Sequence, residues 1–218
     1  MEIDPRCGAA ASLAAETHRH NVFQGWSADP KSELKEATRL FELALGIDEN
    51  DSEALAGSGH LTAWSGDFDT AIEMVDRAVA VNPNSAHAWD QRGWTYRHSA
   101  QAEEAVRSFE RAIRLSPLDP LLYSTLTGMG TALIELRRFD DAVAAATKAL
   151  RKNQTFSTIY RCLASALAHL GRDADAKMAA ARLLELYPDY RISDGVALTS
   201  SWGNKLYIDG LRKAGLPE

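Results

Sequence analysis

Two cysteines in 218 residues, Cys7 and Cys162, are too few and too far apart for a disulfide framework, and neither belongs to a CxxC pair of the kind that holds zinc. Cys162 sits among apolar residues in YRCLASAL, which reads as a reduced core thiol. Glycine (14) and proline (7) are sparse and alanine is abundant, a balance that favours helix. No apolar run approaches the roughly 20 residues that span a bilayer, so no membrane association is expected. The opening MEIDPRCGAAA lacks the basic-then-apolar layout of a secretory signal, and a cytoplasmic location is expected. Positive charge is not in excess. With 24 lysines and arginines against 30 aspartates and glutamates the formal net charge is −6. This argues against a nucleic-acid partner, because phosphate backbones need clustered cations.

Motifs of catalysis are missing as well. There is no GxGxxG, GxxxxGK[ST], GxSxG or HExxH, so no catalytic residue and no cofactor is expected, and the chain reads as non-enzymatic. No metal site is expected either. His18 and His20 in THRH are two apart, on different faces of a helix, which is poor ligand geometry and reads better as a surface pair. Asp67 and Asp69 in GDFDTA stand at a helix start, where aspartate caps free N–H groups.

What the chain does have is a period. Gly59 and Gly93, Ala71 and Ala105, Ala78 and Ala112, and Pro83 and Pro117 are each 34 residues apart. The register slips by three at Pro120–Leu122 and returns to 34 between Ala142 and Ala176. Repeats therefore run over 52–85, 86–119, 123–156 and 157–190. The stretch AWDQRGWTYRH, residues 88–98, lies inside the second of these.

The spacing resembles the tetratricopeptide repeat family. Its pattern has a large residue at position 4, small at 8, bulky at 11, small at 20, aromatic at 24, small at 27 and proline at 32. The repeat at 86 matches throughout with Trp89, Gly93, Tyr96, Ala105, Phe109, Ala112 and Pro117. The repeat at 52 offers Leu55, Gly59, Thr62, Ala71, Val75, Ala78 and Pro83. Later repeats depart at Gln154, where proline is expected, and at Leu183, where a small residue is expected. The resemblance implies an all-α, right-handed α-solenoid of helix-turn-helix repeats with a C-terminal capping helix, in which stacked pairs share one core.

Both ends carry expectations. EIDP, residues 2–5, looks like the tail of an earlier repeat, and such a chain looks cut from a longer protein. A first repeat follows over 8–51, with Ala37, Phe41 and Ala44 in its second helix. It is about ten residues too long, so 21–30 is expected to be an inserted loop. The segment 191–218 loses the signature and reads as a cap with a helix near 204–214, all within one domain over 1–218. Its ending YIDGLRKAGLPE resembles the C-termini of bacterial multidomain signalling proteins, in which a class III adenylate/guanylate cyclase domain or a winged-helix domain precedes the repeats. An open N-terminal face would be sticky, which predicts homodimers through the solenoid ends.

In AWDQRGWTYRH, Trp89, Gly93 and Tyr96 take scaffold positions, and Trp89 is expected in the core. Trp94, Arg97 and His98 fall on positions 9, 12 and 13, which in this family line a concave groove together with positions 2 and 5. The resemblance thus assigns a protein- or peptide-binding groove to His60, Trp64, Trp94, Arg97, His98, Arg161 and His169, with His87 and Asp90 at positions 2 and 5 beside them. Tryptophan and arginine are the residues most enriched at binding hot spots. Two readings stay open here: a mildly basic, aromatic binding floor, or tryptophans that merely fill space between adjacent first helices.

Overall fold

The computed structural model describes residues 7–193 and 205–218. EIDP and the part of the cap at 194–204 lie outside the described residues. Eleven α-helices and no strand are found among them. Ten form five consecutive antiparallel pairs: α1 (Gly8–Gln24) with α2 (Pro30–Ile47), α3 (Ser52–Ser65) with α4 (Phe68–Val81), α5 (Ala86–His98) with α6 (Ala102–Leu115), α7 (Leu122–Glu135) with α8 (Phe139–Leu150), and α9 (Ser157–His169) with α10 (Asp173–Leu186). Each pair packs on the next, giving an α-solenoid, and α11 (Lys205–Lys213) follows. Among the described residues no helix is long and apolar enough to cross a membrane.

Local chemistry fixes the helix ends. Asp51 accepts from the N–H groups of Glu53 and Ala54, Asp67 from Thr70, and Ser85 from Ala88, so each supplies the acceptor a free helix N-terminus needs. Pro83 and Pro117 follow two residues after the ends of α4 and α6, where no further helical N–H is required. Inside the pairs, the small positions are needed. A Cβ built on Gly59 would lie 2.8 Å from Val75 Cγ1 and 3.0 Å from the Ala71 carbonyl oxygen, so the α3 and α4 backbones approach as closely as positions 8 and 20 suggest. Phe41, Val75 and Phe109, all at position 24, are fully buried. Cys162 is buried too, and its thiol is pushed up to about 12 by burial, as suits an inert core group.

Three expectations are corrected. First, residues 21–24 are not loop but the last turn of α1, and only 25–29 separate α1 from α2. The helix runs on because Phe23 and Gln24 find partners on distant helices. It stops at Gly25, whose φ of 75° lets the Gly25 and Trp26 N–H groups reach the Val22 and Asn21 carbonyls. Asp29 then caps α2 through Ser32 N–H, with Pro30 at its first position. Second, Trp89 is half-buried at the edge, donating from Nε1 to the Pro83 carbonyl at 2.9 Å, while Trp94 is only 4% exposed. Third, α11 does not simply close the end of the stack. It packs on α9 and α7, the first helices of the last two pairs, and so lies on the concave side.

Candidate functional site

The concave face is lined by α3, α5, α7 and α9, and the chain itself occupies much of it. The extra turn of α1 crosses the first half. The Phe23 ring packs edge-on against Trp94 (5.4 Å between centroids), stacks on Trp64 (6.4 Å) and meets Phe156 ahead of α9 (5.6 Å). Gln24 donates from Nε2 to the Tyr123 hydroxyl on α7 at 2.8 Å. Trp94 continues the cluster onto Phe109, His60 and His98. His60 is fully buried, with Trp64 Nε1 donating to its Nε2 at 3.1 Å and Arg19 Nη1 3.2 Å from its Nδ1. Burial, then the Arg19 charge, hold its pKa down to about 3, since an imidazolium there would face donors on both sides. His98, buried against His60 and Trp94, is held low by burial and by Arg97.

The second half is taken by α11. A Cβ on Gly210 would collide with Ser165 Oγ and lie 2.7 Å from the Ser165 carbonyl, so only glycine lets α11 seat this closely on α9. Ser165 Oγ donates to the Tyr207 carbonyl at 2.8 Å, and His169 Nε2 donates to the Leu206 carbonyl at 2.7 Å. The His169 ring stacks on Phe139 at 4.8 Å. The Arg97 guanidinium lies between the Trp94 and Tyr207 rings, 5.9 and 5.7 Å from their centroids. Arg161 donates to Thr158 Oγ1 at 2.5 Å and lies over the Tyr190 ring. All seven groove residues therefore line the concave side, but they divide. His60, Trp64, Trp94 and His98 join the aromatic cluster under α1, and Arg97 and His169 receive α11, with Arg161 held by Thr158 and Tyr190.

Between α1, α5 and α7 the face stays open as a cavity of about 390 Å3. Its α1 wall is Glu16, Arg19, His20 and Phe23, its α5 wall His87, Asp90, Gln91 and Trp94, and Ser124 and Thr125 of α7 complete it. Trp26, 70% exposed, and Leu121, 44% exposed, stand at its rim. A chain of charges runs through it. Arg19 holds Glu16 with Nε at 3.0 Å and Nη2 at 2.7 Å. Glu16 Oε1 lies 3.4 Å from His87 Nε2, and Glu53 Oε2 lies 2.6 Å from His87 Nδ1. Ser85 donates to Glu53 at 2.7 Å. Burial alone would drive His87 down, yet the carboxylates on both sides raise it to about 10. Burial would likewise raise Glu16, but Arg19 and His87 hold its carboxyl well below the usual range. His87 and Asp90 stand at groove positions the repeat pattern marks. Glu16 and Arg19 come from the body of α1 and Trp26 from the loop just past its end, in a first repeat whose register the added length obscures. The two histidines of THRH go separate ways: His18 Nδ1 meets Glu33 Oε2 at 2.5 Å, and the His20 ring meets Trp26 edge-on.

Helix pairs stacked so that every first helix lines one face define a helical-repeat scaffold. A model of the tetratricopeptide repeat matches residues 65–120 and 127–191, more than half of the chain, and the chain belongs to that family. It is similar to the peroxisomal targeting signal receptor of Saccharomyces cerevisiae, with 32% identity over 79 residues, 36% of this chain and 13% of the receptor. The match to the receptor of Candida albicans is 26% identical over 161 residues, 70% of this chain and 27% of that one. The chain thus spans a small part of these curated relatives. Among solved structures, PilW, a type IV pilus biogenesis factor, superposes with a TM-score of 0.69 at 18% identity over 94% of this chain and 88% of its own. The thermophilic protein TTC0263 of Thermus thermophilus gives 0.64 at 22% identity over 93% and 99%. These likenesses concern the fold.

Proposed function

We propose that this chain is a non-catalytic module that binds a protein segment or peptide on its concave face, at the cavity between α1, α5 and α7. The observation that carries this reading is the cavity itself: about 390 Å3, flanked by a buried aromatic cluster and rimmed by the exposed Trp26 and Leu121. Open concavities with apolar walls and a few convergent polar groups are where ligands bind. A rigid solenoid also orders little on binding, so less of the contact energy is spent. The peroxisomal receptor relatives are named as receptors of a targeting signal, in keeping with a repeat array that recognises a segment of another protein. Selection of a random peptide library on the immobilised chain tests this. Peptides that bind wild type and lose at least tenfold in affinity to Ala86→Phe, which fills the cavity from α5, are expected. A library yielding only peptides indifferent to that substitution overturns the reading.

A second reading rests on Leu13, 71% exposed on α1, and on the expectation of association through the solenoid ends. In it the chain also self-associates through α1, and a Leu13→Glu variant is monomeric where wild type dimerises at high concentration. The ending YIDGLRKAGLPE supports, as a proposal only, a place at the C-terminus of a cytoplasmic bacterial nucleotide cyclase or related regulator. The coding frame upstream of Met1 tests it.

A further inference from the structure

We infer that the cavity between α1, α5 and α7 receives a cationic side chain, the ammonium of a lysine or the guanidinium of an arginine, presented by a peptide with an apolar neighbour. The inference deepens the proposed function and rests on it. It follows from which polar atoms in the cavity are already engaged. Every charged donor already faces an acceptor. Arg19 directs Nε and Nη2 to Glu16 and Nη1 towards His60, and both nitrogens of His87 face carboxylates, Glu53 and Glu16. No charged donor is left free to hold an anion. The acceptors are not all taken. Asp90 Oδ1 and Gln91 Oε1 are buried without a hydrogen-bond partner, and Gln91 as a whole is only 3% exposed. The Gln91 amide donates to Asp90 Oδ2 at 3.2 Å, which leaves the other Asp90 oxygen open. Among the described residues no lysine, arginine or histidine forms an ion pair with Asp90.

A buried carboxylate with no counter-ion is expensive unless something supplies one. In keeping with this, the Asp90 carboxyl is pushed up to about 6, chiefly by burial, although Thr125 and the His87 and Arg19 charges draw it down. The walls suit the same ligand. Phe23, Trp26 and Trp94 line the cavity, and aromatic faces attract ammonium and guanidinium groups. A free small amine would have no use for the exposed Trp26 and Leu121 at the rim, whereas the residues flanking a peptide lysine would cover them. The chain's net charge of −6 favours the approach of a basic segment.

The test uses three peptides that differ only at a central residue between two leucines: lysine, norleucine or glutamate. Binding to the full chain is followed by calorimetry. The lysine peptide is expected to bind at least tenfold more tightly than the norleucine peptide and to exceed the glutamate peptide further. Asp90→Asn, nearly the same shape without the charge, should bring lysine down to the norleucine level and leave norleucine unchanged. Equal binding of all three, or a lysine preference that survives Asp90→Asn, overturns the inference. So does cadaverine alone binding as tightly as the lysine peptide, because the occupant would then be a free amine. If acidic or apolar peptides selected from the random library are blocked by Ala86→Phe while the lysine peptide does not bind, the site stands and its cationic ligand falls. The peptide series needs no variant, so a failure of Asp90→Asn to fold leaves the comparison intact.

Discussion

An imidazole held between two carboxylates, as His87 is between Glu16 and Glu53, keeps its proton far beyond the range of a free histidine. Its folded pKa of about 10 lies above the ordinary 6.5, so the stability it contributes is complete below pH 6.5 and is lost as pH rises towards 10. His60 works the other way. Folded, it stays neutral down to about pH 3, so below 6.5 the unfolded chain binds a proton that the native ring refuses, and stability falls. His98 acts in the same direction, while Asp90, raised to about 6, opposes them in part. Thermal melts should therefore be highest near pH 6.5 and fall on both sides, and His87→Gln should flatten the alkaline limb. A wild-type melting temperature that is constant from pH 6.5 to 10 would refute the His87 assignment. The tryptophans of α5 show how much of this a sequence reveals. The repeat pattern assigns Trp89 to the core and Trp94 to the groove. Position 9 is core here, with Phe23 of α1 over Trp94 and Phe109, His60 and His98 beside it, a setting no spacing within α5 encodes. Trp94→Ala should cost about 3–5 kcal/mol, since it leaves a cavity among Phe23, Phe109 and His60. Trp89→Ala, at the half-buried edge, should cost about 1 kcal/mol. Denaturant unfolding of the two variants decides it, and equal losses would return Trp89 to the core.

Helices and their turns were the most legible elements, because a 34-residue period records small residues, caps and stops directly. The four turns between the helices of a pair, from α3–α4 to α9–α10, each hold one residue with positive φ: Gly66, Ala100, Arg137 and Gly171. Two are glycine and two are not. Ala100 at φ 61° and Arg137 at φ 57° occupy a conformation whose Cβ crowds the backbone. Ala100→Gly should raise stability by about 0.5–1 kcal/mol, the relief of strain exceeding the added freedom of the unfolded chain. A lower denaturation midpoint for this variant would show the turn to be unstrained. The position of α11 was not legible. Its helical pattern was visible near 204–214, but a helix outside the repeat carries no register that says which face it joins. Gly210 is the residue that decides, because any side chain there meets Ser165. Gly210→Leu should lift α11 from α9. Hydrogen exchange should then speed up in Lys205–Lys213, with Arg97 and His169 uncovered and α1–α6 unchanged. Unaltered protection in α11 would mean that its seat does not depend on this contact.

At the scale of the whole molecule, an array of repeats is expected to behave as a one-dimensional stack in which each pair feels only its neighbours. Here α1 breaks that rule. Through Phe23 it touches Trp64 of the second pair, Trp94 of the third and Phe156 at the entry to the fifth, and through Gln24 it reaches Tyr123 of the fourth. The concave face is thus spanned by a strut from the first pair to the last, which also forms one wall of the cavity. Residues 21–24 looked like an insertion because repeat arithmetic has no place for them. Their use becomes visible only when distant residues come together in space. Removing the Phe23 ring should destabilise the fold by about 3 kcal/mol, as aromatic truncations in packed surroundings do. The more telling consequence is where the loss is felt. In a nearest-neighbour stack, Phe23→Ala would lower hydrogen-exchange protection in α1 to α4 and leave α9 as before. With the strut in place, protection should fall around Phe156 and along α9 as well, more than 130 residues away in sequence, and the unfolding transition should broaden as the pairs lose their common tie. Full protection of α9 in the Phe23→Ala protein would show that the array is an ordinary stack and that the contact between Phe23 and Phe156 contributes nothing to its cooperativity.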